Sequence, residues 1–250
     1  MARATVQRRL SWLLAEVVGL IDETPRVRSL VLDCPGWIGH LPGQHLDLRL
    51  TAPDGYQAQR SYSIATPADG ERVTITVELV DDGEVSPFLI EELRVGDQFE
   101  LRGPIGGYFV WSPGQGEPLQ LLAGGSGIVP LMAMVRTHVL AGAEEPVRLF
   151  VSARSLEDVI YRDELKQLAS DENGIDIATT LTRSQPPAWD GHSRRVDREM
   201  LEEVAWTPAH QPACYICGPT GFVEAVASTL VDLGHEPERI RTERFGPTGG

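Results

Sequence analysis

Three side chains of unlike chemistry open the string RSYSIATP, Arg60 to Pro67. Arg60 can neutralise a phosphate with its planar fork, the Tyr62 ring can stack on a flat heterocycle, and the Ser63 hydroxyl can bond a ring nitrogen. On an extended strand Arg60 and Tyr62 share one face, with Ser63 on the other or at a bend. Read alone, the string is equally an ordinary amphipathic strand. A second string, AGGSGIVP, runs from Ala123 to Pro130. Gly124, Gly125 and Gly127 permit positive φ and let backbone N–H groups come close to an anion. A helix starting near Ile128 would turn its free N–H groups and positive dipole end toward a diphosphate, and Pro130 is tolerated in its first turn. The spacing is not GxGxxG, so the usual dinucleotide fingerprint is absent. A third string, Cys217–Gly218–Pro219, ends a strand and opens a helix. The small face at Gly218 could admit a flat ring; a plain strand-to-helix turn with a buried cysteine fits the same residues.

Several arginines follow strand-like segments. Arg154 comes after one, Thr182 and Arg183 after the next, and Arg194 and Arg195 a little further on. Guanidinium forks grip phosphate in two places, so an anion site for an adenosine 2′-phosphate could be assembled here, although solvated surface arginines are the plainer reading of any one of them. Cys214 and Cys217 form a CxxC. Residues three apart on a strand point to opposite faces, and no second cysteine pair completes a zinc site, so neither metal nor dithiol chemistry is expected. The third cysteine is Cys34, and three cysteines fit reduced thiols in a cytoplasmic protein. The formal net charge is −14 with no dominant run of Lys or Arg, which argues against nucleic-acid binding. No secretory signal is recognised, because the apolar part of the first twenty residues contains Glu16 and lacks a small-residue cleavage site. No apolar run is long enough to cross a bilayer, so membrane insertion is not expected.

The elements that must position these residues fall into two halves. Short β-rich stretches at Ala15–Ile21, Val27–Leu32, His45–Leu50, Arg72–Val80 and Gln98–Leu101 are punctuated by Pro, Gly and Asp, which predicts an antiparallel barrel or sandwich. One helix is expected near Ser86–Arg94, with Ser86 as N-cap, Pro87 in its first position and an apolar stripe from Phe88, Leu89 and Leu93; its N-terminus could receive a phosphate. The Pro- and Gly-rich SPGQGEP, Ser112 to Pro118, marks the boundary, giving domains over residues 1–113 and 114–250. Beyond it strands and helices alternate. Strands are expected at Leu119–Ala123, Val147–Ser152, Ile175–Leu181, Cys214–Cys217 and Ile240–Phe245. Helices are expected near Gly127–Leu140, Glu157–Ala169, Asp197–Ala205 and Pro219–Leu233, the first with Ile128, Leu131, Met132, Val135 and Val139 on one face. Such alternation predicts a five-stranded parallel sheet covered on both sides, with ligands at the carboxyl ends of its strands.

In order and spacing, PGQHLDL, RSYSIATP, GEVSPFLIEEL, RGPIGGYF, AGGSGIVPLMAM, ARSLEDVIYRDEL, YICGPTGFVEAV and TERFG resemble the ferredoxin–NADP reductase family of flavoproteins over Ala15 to Phe245. The resemblance implies an antiparallel FAD-binding β-barrel followed by an NAD(P)-binding α/β domain. It implies that Arg60 contacts the flavin phosphates, Tyr62 lines the flavin, Ser63 bonds near flavin N5, and Gly83, Val85 and Ser86 receive the diphosphate. Gly124, Gly125, Ser126 and Gly127 would hold the pyridine nucleotide, with Cys217 beside the nicotinamide and Gly218 and Pro219 next to it. Thr182–Arg183 resembles the pair that reads a 2′-phosphate, which favours NADP while leaving NAD open. Glu243 in TERF resembles a glutamate near the active site of relatives, with a proton-relay or hydrogen-bonding role, and Phe245 would approach the ring. Many relatives carry a fused iron–sulfur domain with CxxxxCxxC spacing, which is missing from this sequence, so the implied one-electron acceptor is a separate ferredoxin or flavodoxin. The implied activity is hydride transfer from NAD(P)H to FAD and onward electron transfer. An electron-transfer subunit of a larger redox complex and a non-catalytic nucleotide-binding redox sensor stay open as alternatives.

Overall fold

The structure, a computed structural model, describes residues 10–170 and 174–246. The basic start of the chain and the tail after Gly246 lie outside them. The first sheet is antiparallel, with strands β1 (Leu13–Thr24), β2 (Val27–Asp33), β3 (His45–Thr51), β4 (Gln57–Ser63), β5 (Arg72–Glu78) and β6 (Gln98–Ile105) in the order β4-β3-β6-β1-β2-β5. Its two edges meet: Ile64 bridges Ile75, and the Ala65 N–H donates to the Thr74 carbonyl at 2.8 Å, so the sheet closes into a barrel. Alternation supplies the filling. Val17, Leu30, Leu32, Leu46, Leu48, Val73, Ile75, Phe99 and Leu101 point inward and form one buried cluster. Strand β1 pairs with β6 over Leu13–Glu16 and with β2 over Glu16–Thr24, the second pairing carrying register shifts after Val17 and after Asp22.

The helix expected at Ser86–Arg94 is helical from Ser86 to Glu92, with π-helical winding over Phe88–Glu92. Ser86 does not cap it, because its hydroxyl accepts the Val80 N–H at 3.0 Å instead. The wider turn, closed by Leu93 N–H to the Phe88 carbonyl at 3.0 Å, accompanies burial of Leu89, Ile90 and Leu93 in the barrel cluster.

The second sheet is parallel. Its strands are β7 (Leu119–Gly124), β8 (Val147–Ala153), β9 (Ile175–Leu181), β10 (Ala213–Pro219) and β11 (Ile240–Phe245), ordered β11-β10-β7-β8-β9. The winding reverses between β7 and β10, which makes their carboxyl ends the natural ligand crevice. Helices α1 (Ile128–Ala141) and α2 (Arg162–Ser170) cover one face; α3 (Arg198–Val204) and α4 (Thr220–Asp232) cover the other. Asp197 caps α3 by accepting the Met200 N–H at 2.9 Å. The one-face stripe expected for α1 is only part of its burial. Every residue from Ile128 to Val135 is buried, while Val139 is 46% exposed. The reason is that α1 is wedged between its own sheet and the barrel, and its cluster includes Val27 and Ala65 from the barrel side. Helix α2 starts at Arg162 rather than Glu157 because Tyr161 takes φ 59°, a left-handed conformation that interrupts the helix.

Tyr161 and Arg136 tie the two halves together. The Arg136 guanidinium donates to the Ala65 carbonyl at 2.6 Å and to both oxygens of Glu164 at 2.8 and 2.5 Å. It also lies 4.4 Å from the centre of the Tyr161 ring. The Tyr161 hydroxyl bonds Thr76 at 2.5 Å, Thr76 bonds Ser29 at 2.7 Å, and Ser29 bonds Glu23 at 2.6 Å. This polar chain starts in the sheet half and ends on β1 of the barrel. On the opposite side of the junction Tyr215 donates to the Val110 carbonyl and accepts from Arg241, both at 2.7 Å. Replacing Arg136 by Met leaves Glu164 and the Ala65 carbonyl without their donor, and a stability loss of about 2–3 kcal/mol is expected in urea unfolding. Arg198→Met, which removes an exposed pair with Glu202, should shift stability by less than about 0.5 kcal/mol in the same assay.

Candidate active site

The barrel and the sheet meet where β4 ends and β10 and β11 end. Ser63 lies opposite His45 across the β3–β4 register, and Cys217 lies opposite Glu243 across the β10–β11 register. The two pairs face each other: His45 Nδ1 stands 3.9 Å from Glu243 Oε1. Two atoms here are buried with no hydrogen-bond partner, the Ser63 hydroxyl and Glu243 Oε2. Buried oxygens of this kind ordinarily find partners, so both mark places where a polar ligand edge fits. Burial governs the charges. It pushes the Glu243 carboxyl up to about 7, pushes the Cys217 thiol well up with the Glu243 charge adding to the effect, and pulls the His45 imidazole down against the upward pull of Asp47. The site therefore favours neutral groups near neutral pH, and Cys217 is a thiol that shapes and polarises rather than attacks. His45 was missed as a site residue; its signal was a histidine opening a strand in PGQHLDL. The stretch RGPIGGYF does more than close the barrel. The Gly106 carbonyl accepts from Gln44 at 2.6 Å beside the His45 ring, and the Tyr108 hydroxyl donates to the Ile240 carbonyl at 3.3 Å.

Tyr62 packs half-buried against the barrel cluster, with burial raising its hydroxyl. Arg60 is exposed and bonds Glu84 at 2.8 Å. Near it Gly83 closes a turn by donating to the Val80 carbonyl at 2.9 Å, Val85 is buried, and the Ser86 hydroxyl is held by Val80. The helical segment that follows begins at Ser86, where the sequence places the helix start.

On the sheet side the glycines divide by cause. Of Gly124, Gly125, Gly127 and Gly218, Gly125 alone combines positive φ, 54°, with open space around a would-be Cβ. Gly124 and Gly127 have ordinary negative φ, −113° and −59°, contrary to the expectation of left-handed conformations. They are needed because nothing larger fits: a Cβ on Gly127 would stand 2.0 Å from the Cys217 carbonyl oxygen, and one on Gly124 would stand 2.8 Å from the Phe222 ring. A Cβ on Gly218 would stand 2.9 Å from the Gly124 carbonyl oxygen. The ends of β7 and β10 thus approach backbone to backbone, with Ser126 and Gly125 facing outward above them. Phe222, expected from the sequence only as part of the apolar stripe of the last helix, packs its ring against Gly124 at this mouth. Phe245 lies half-buried beside Pro219 at the end of β11.

The expected anion site lies one strand further. Thr182 N–H donates to the Ala153 carbonyl and Arg183 N–H to the Arg154 carbonyl, both at 2.9 Å, so Arg154 and Arg183 sit side by side at the ends of β8 and β9. Among the described residues neither has a carboxylate partner. Arg194 is already engaged with Asp197 at 2.6 Å and Glu199 at 3.4 Å. Cys214 packs in the cluster on one sheet face and Cys217 in that on the other, so the CxxC cannot act as one unit. Burial pushes Cys214 up to about 12.

The barrel side of the junction thus carries an unpartnered hydroxyl at Ser63, with Tyr62 and Arg60 on the same strand, and the sheet side carries closely approaching backbone at Gly124, Gly127 and Gly218. Residues 20–110 match the oxidoreductase FAD-binding domain and residues 121–228 the oxidoreductase NAD-binding domain. Ferredoxin–NADP reductase B of Sorangium cellulosum is 34% identical over 92% of this chain and 96% of its own. The glycine betaine monooxygenase reductase subunit of Pseudomonas aeruginosa is 32% identical over 94% of this chain, which spans 64% of that relative's length. The flavohem-like FAD/NAD-binding domain of nitric oxide dioxygenase from Vibrio cholerae superposes with a TM-score of 0.84 at 25% identity, covering 94% of this chain and 99% of the other. The barrel, the parallel sheet and the two matched segments together define an oxidoreductase built on an FAD-binding and an NAD-binding unit. The chain belongs to the ferredoxin–NADP reductase family.

Two outcomes follow from the geometry. Gly127→Ala should lower the thermal midpoint by the equivalent of about 3 kcal/mol or prevent folding, whereas Gly125→Ala should cost about 1–2 kcal/mol, from backbone conformation alone. Glu243 holds its proton more tightly folded than unfolded, so it lowers stability as pH rises from 4.5, its ordinary value, to about 7. Glu243→Gln should therefore raise the melting temperature of the flavin-free chain at pH 8 and leave it unchanged at pH 4, by on the order of 1–3 kcal/mol.

Proposed function

We propose that this chain transfers hydride from NADPH to bound FAD and passes electrons on to a separate protein acceptor, a ferredoxin or flavodoxin, in the cytoplasm. The observation that carries the proposal is the pairing of two unpartnered buried oxygens, Ser63 Oγ and Glu243 Oε2, contributed from opposite sides of one crevice. Residues 1–113 form the flavin domain and 114–250 the nucleotide domain, a division supported by the gap between the matched segments.

Bound FAD supplies the conversion between two-electron and one-electron chemistry. The chain supplies alignment, which by itself can lower a barrier by roughly 7–11 kcal/mol. Ser63 meets the polar edge of the isoalloxazine, Tyr62 flanks its face, and Arg60 faces the phosphates with Gly83, Val85 and Ser86 beside them. Gly124, Gly125, Ser126 and Gly127 admit the diphosphate of the nucleotide. Cys217, Gly218 and Pro219 form the wall against which the nicotinamide lies, and Phe245 borders the ring. Glu243, with His45 next to it, holds a proton at Oε2 near neutral pH and keeps net charge out of the crevice. Arg154, Thr182 and Arg183 clasp a 2′-phosphate, which favours NADPH, with NADH a weaker donor. The cytoplasmic placement is supported by three buried free thiols; among the described residues no helix is long and apolar enough to cross a membrane.

Anaerobic addition of NADPH to the FAD-loaded protein should bleach the flavin absorbance; no bleaching with either NADPH or NADH would overturn the proposal. Arg183→Ala should raise the KM for NADPH about tenfold and leave that for NADH unchanged, measured by steady-state reduction of an artificial acceptor. A second reading, an electron-transfer subunit working only within a larger complex, is favoured by the Pseudomonas aeruginosa relative, itself a reductase subunit of a monooxygenase. Reduction by NADPH without turnover of free ferredoxin or flavodoxin would select it.

A further inference from the structure

We propose that Glu84 and Tyr56 make the barrel select FAD over FMN, Glu84 by offsetting the charge of Arg60 and Tyr56 by presenting a fixed ring to the adenine. The inference rests on flavin occupying the crevice described above.

Arg60 is the cation of the flavin-side ribbon, and among the described residues its ion-pair partner is Glu84, at 2.8 Å. The same carboxylate accepts the Tyr56 hydroxyl at 2.9 Å on its other oxygen. Both bonds hold the Glu84 carboxyl below its ordinary range, so it stays charged at neutral pH. Tyr56 is itself fixed from behind by the tip of the β3–β4 hairpin. Its N–H donates to Asp54 at 3.0 Å, its carbonyl accepts from Ala52 at 2.8 Å, and Gly55 turns the chain at φ 88°. The ring is nevertheless 56% exposed. An exposed aromatic ring pinned at both backbone and hydroxyl has already lost the freedom that stacking would otherwise cost.

The two flavins differ in the features these residues read. FMN ends in a phosphate monoester, which carries close to two charges on one phosphorus at neutral pH. FAD spreads its charge over a diphosphate, one on each phosphorus, and continues into an adenosine. A guanidinium already neutralised by a carboxylate suits the concentrated dianion poorly, and only FAD brings a second flat ring for Tyr56 to stack on.

The test is fluorescence titration of the flavin-stripped full chain with FAD and with FMN. Glu84→Gln removes the charge while its amide oxygen still accepts from Arg60 and its amide nitrogen can donate to the Tyr56 hydroxyl; FMN should bind about fivefold more tightly while FAD changes by less than about twofold. Tyr56→Ala should weaken FAD about tenfold and leave FMN within about twofold. Glu84→Gln weakening both flavins alike would reduce Glu84 to a prop for Arg60 and overturn the inference, as would wild-type protein binding FMN as tightly as FAD. A wild-type chain that takes up neither flavin would instead overturn the functional reading on which the inference stands.

Discussion

The Arg136 guanidinium is the constraint on which the working geometry depends. It reaches from α1 to the Ala65 carbonyl, two residues beyond Ser63, and simultaneously to Glu164 at the start of α2. The same helix α1 begins at the glycine turn Gly125–Gly127. One side chain therefore fixes the distance between the end of the flavin-side strand and the start of the nucleotide-side turn. A hydrogen bond to charged guanidinium is stronger than a neutral one, and here it is reinforced by the Tyr161 ring 4.4 Å away. Tyr161 can lie there because its backbone accepts a left-handed conformation, a strain stored at the junction of the two halves rather than in either core.

Given that fixed junction, desolvation sets the chemistry of the crevice. Glu243, His45 and Cys217 are each moved toward their neutral forms, and in each burial is the leading cause. A neutral crevice suits hydride transfer, in which charge is redistributed between two stacked rings and need not be balanced by a fixed ion. The charged residues stand at its margins instead, Arg60 on one side and Arg154 with Arg183 on the other, where phosphates are expected to lie. Polarity is thus sorted by distance from the ring position.

Much of this was legible in the sequence, for reasons that differ between the halves. The parallel sheet was readable because strand and helix periods alternate cleanly, and Ile175–Leu181 and Ile240–Phe245 were delimited to the residue. The barrel strands were readable from period-two alternation, with ends shifted by a few residues where pairing partners change. The π winding was not, because Ser86 and Pro87 mark where the helix starts without showing how the turns after them are wound or that the Ser86 hydroxyl is committed to Val80. Sequence also shows that a glycine is present without showing why. Gly125 is there for its backbone angle, Gly127 because the Cys217 carbonyl leaves no room, and only coordinates separate the two. Tyr161 and Arg136 carry no local signal at all, since each acts through a partner far away along the chain, and His45 shows only as a histidine opening a strand.

The unpartnered oxygens in the crevice have a further meaning when set beside the other buried atoms that lack partners. Trp111, His138 and Trp206 each leave one ring nitrogen unbonded, and the Trp111 and His138 rings lie 6.0 Å apart beneath the segment that links the two sheets. The two indole nitrogens belong to large apolar rings, whose packing area outweighs one missing bond, and the His138 ring already bonds the Glu145 carbonyl through its other nitrogen. Ser63 and Glu243 have no such compensation: a small hydroxyl and a carboxyl gain little from packing and lose much by desolvation. A chain stable enough to tolerate that cost keeps two polar groups poised for a ligand edge, and local rules broken in this way concentrate where function is placed.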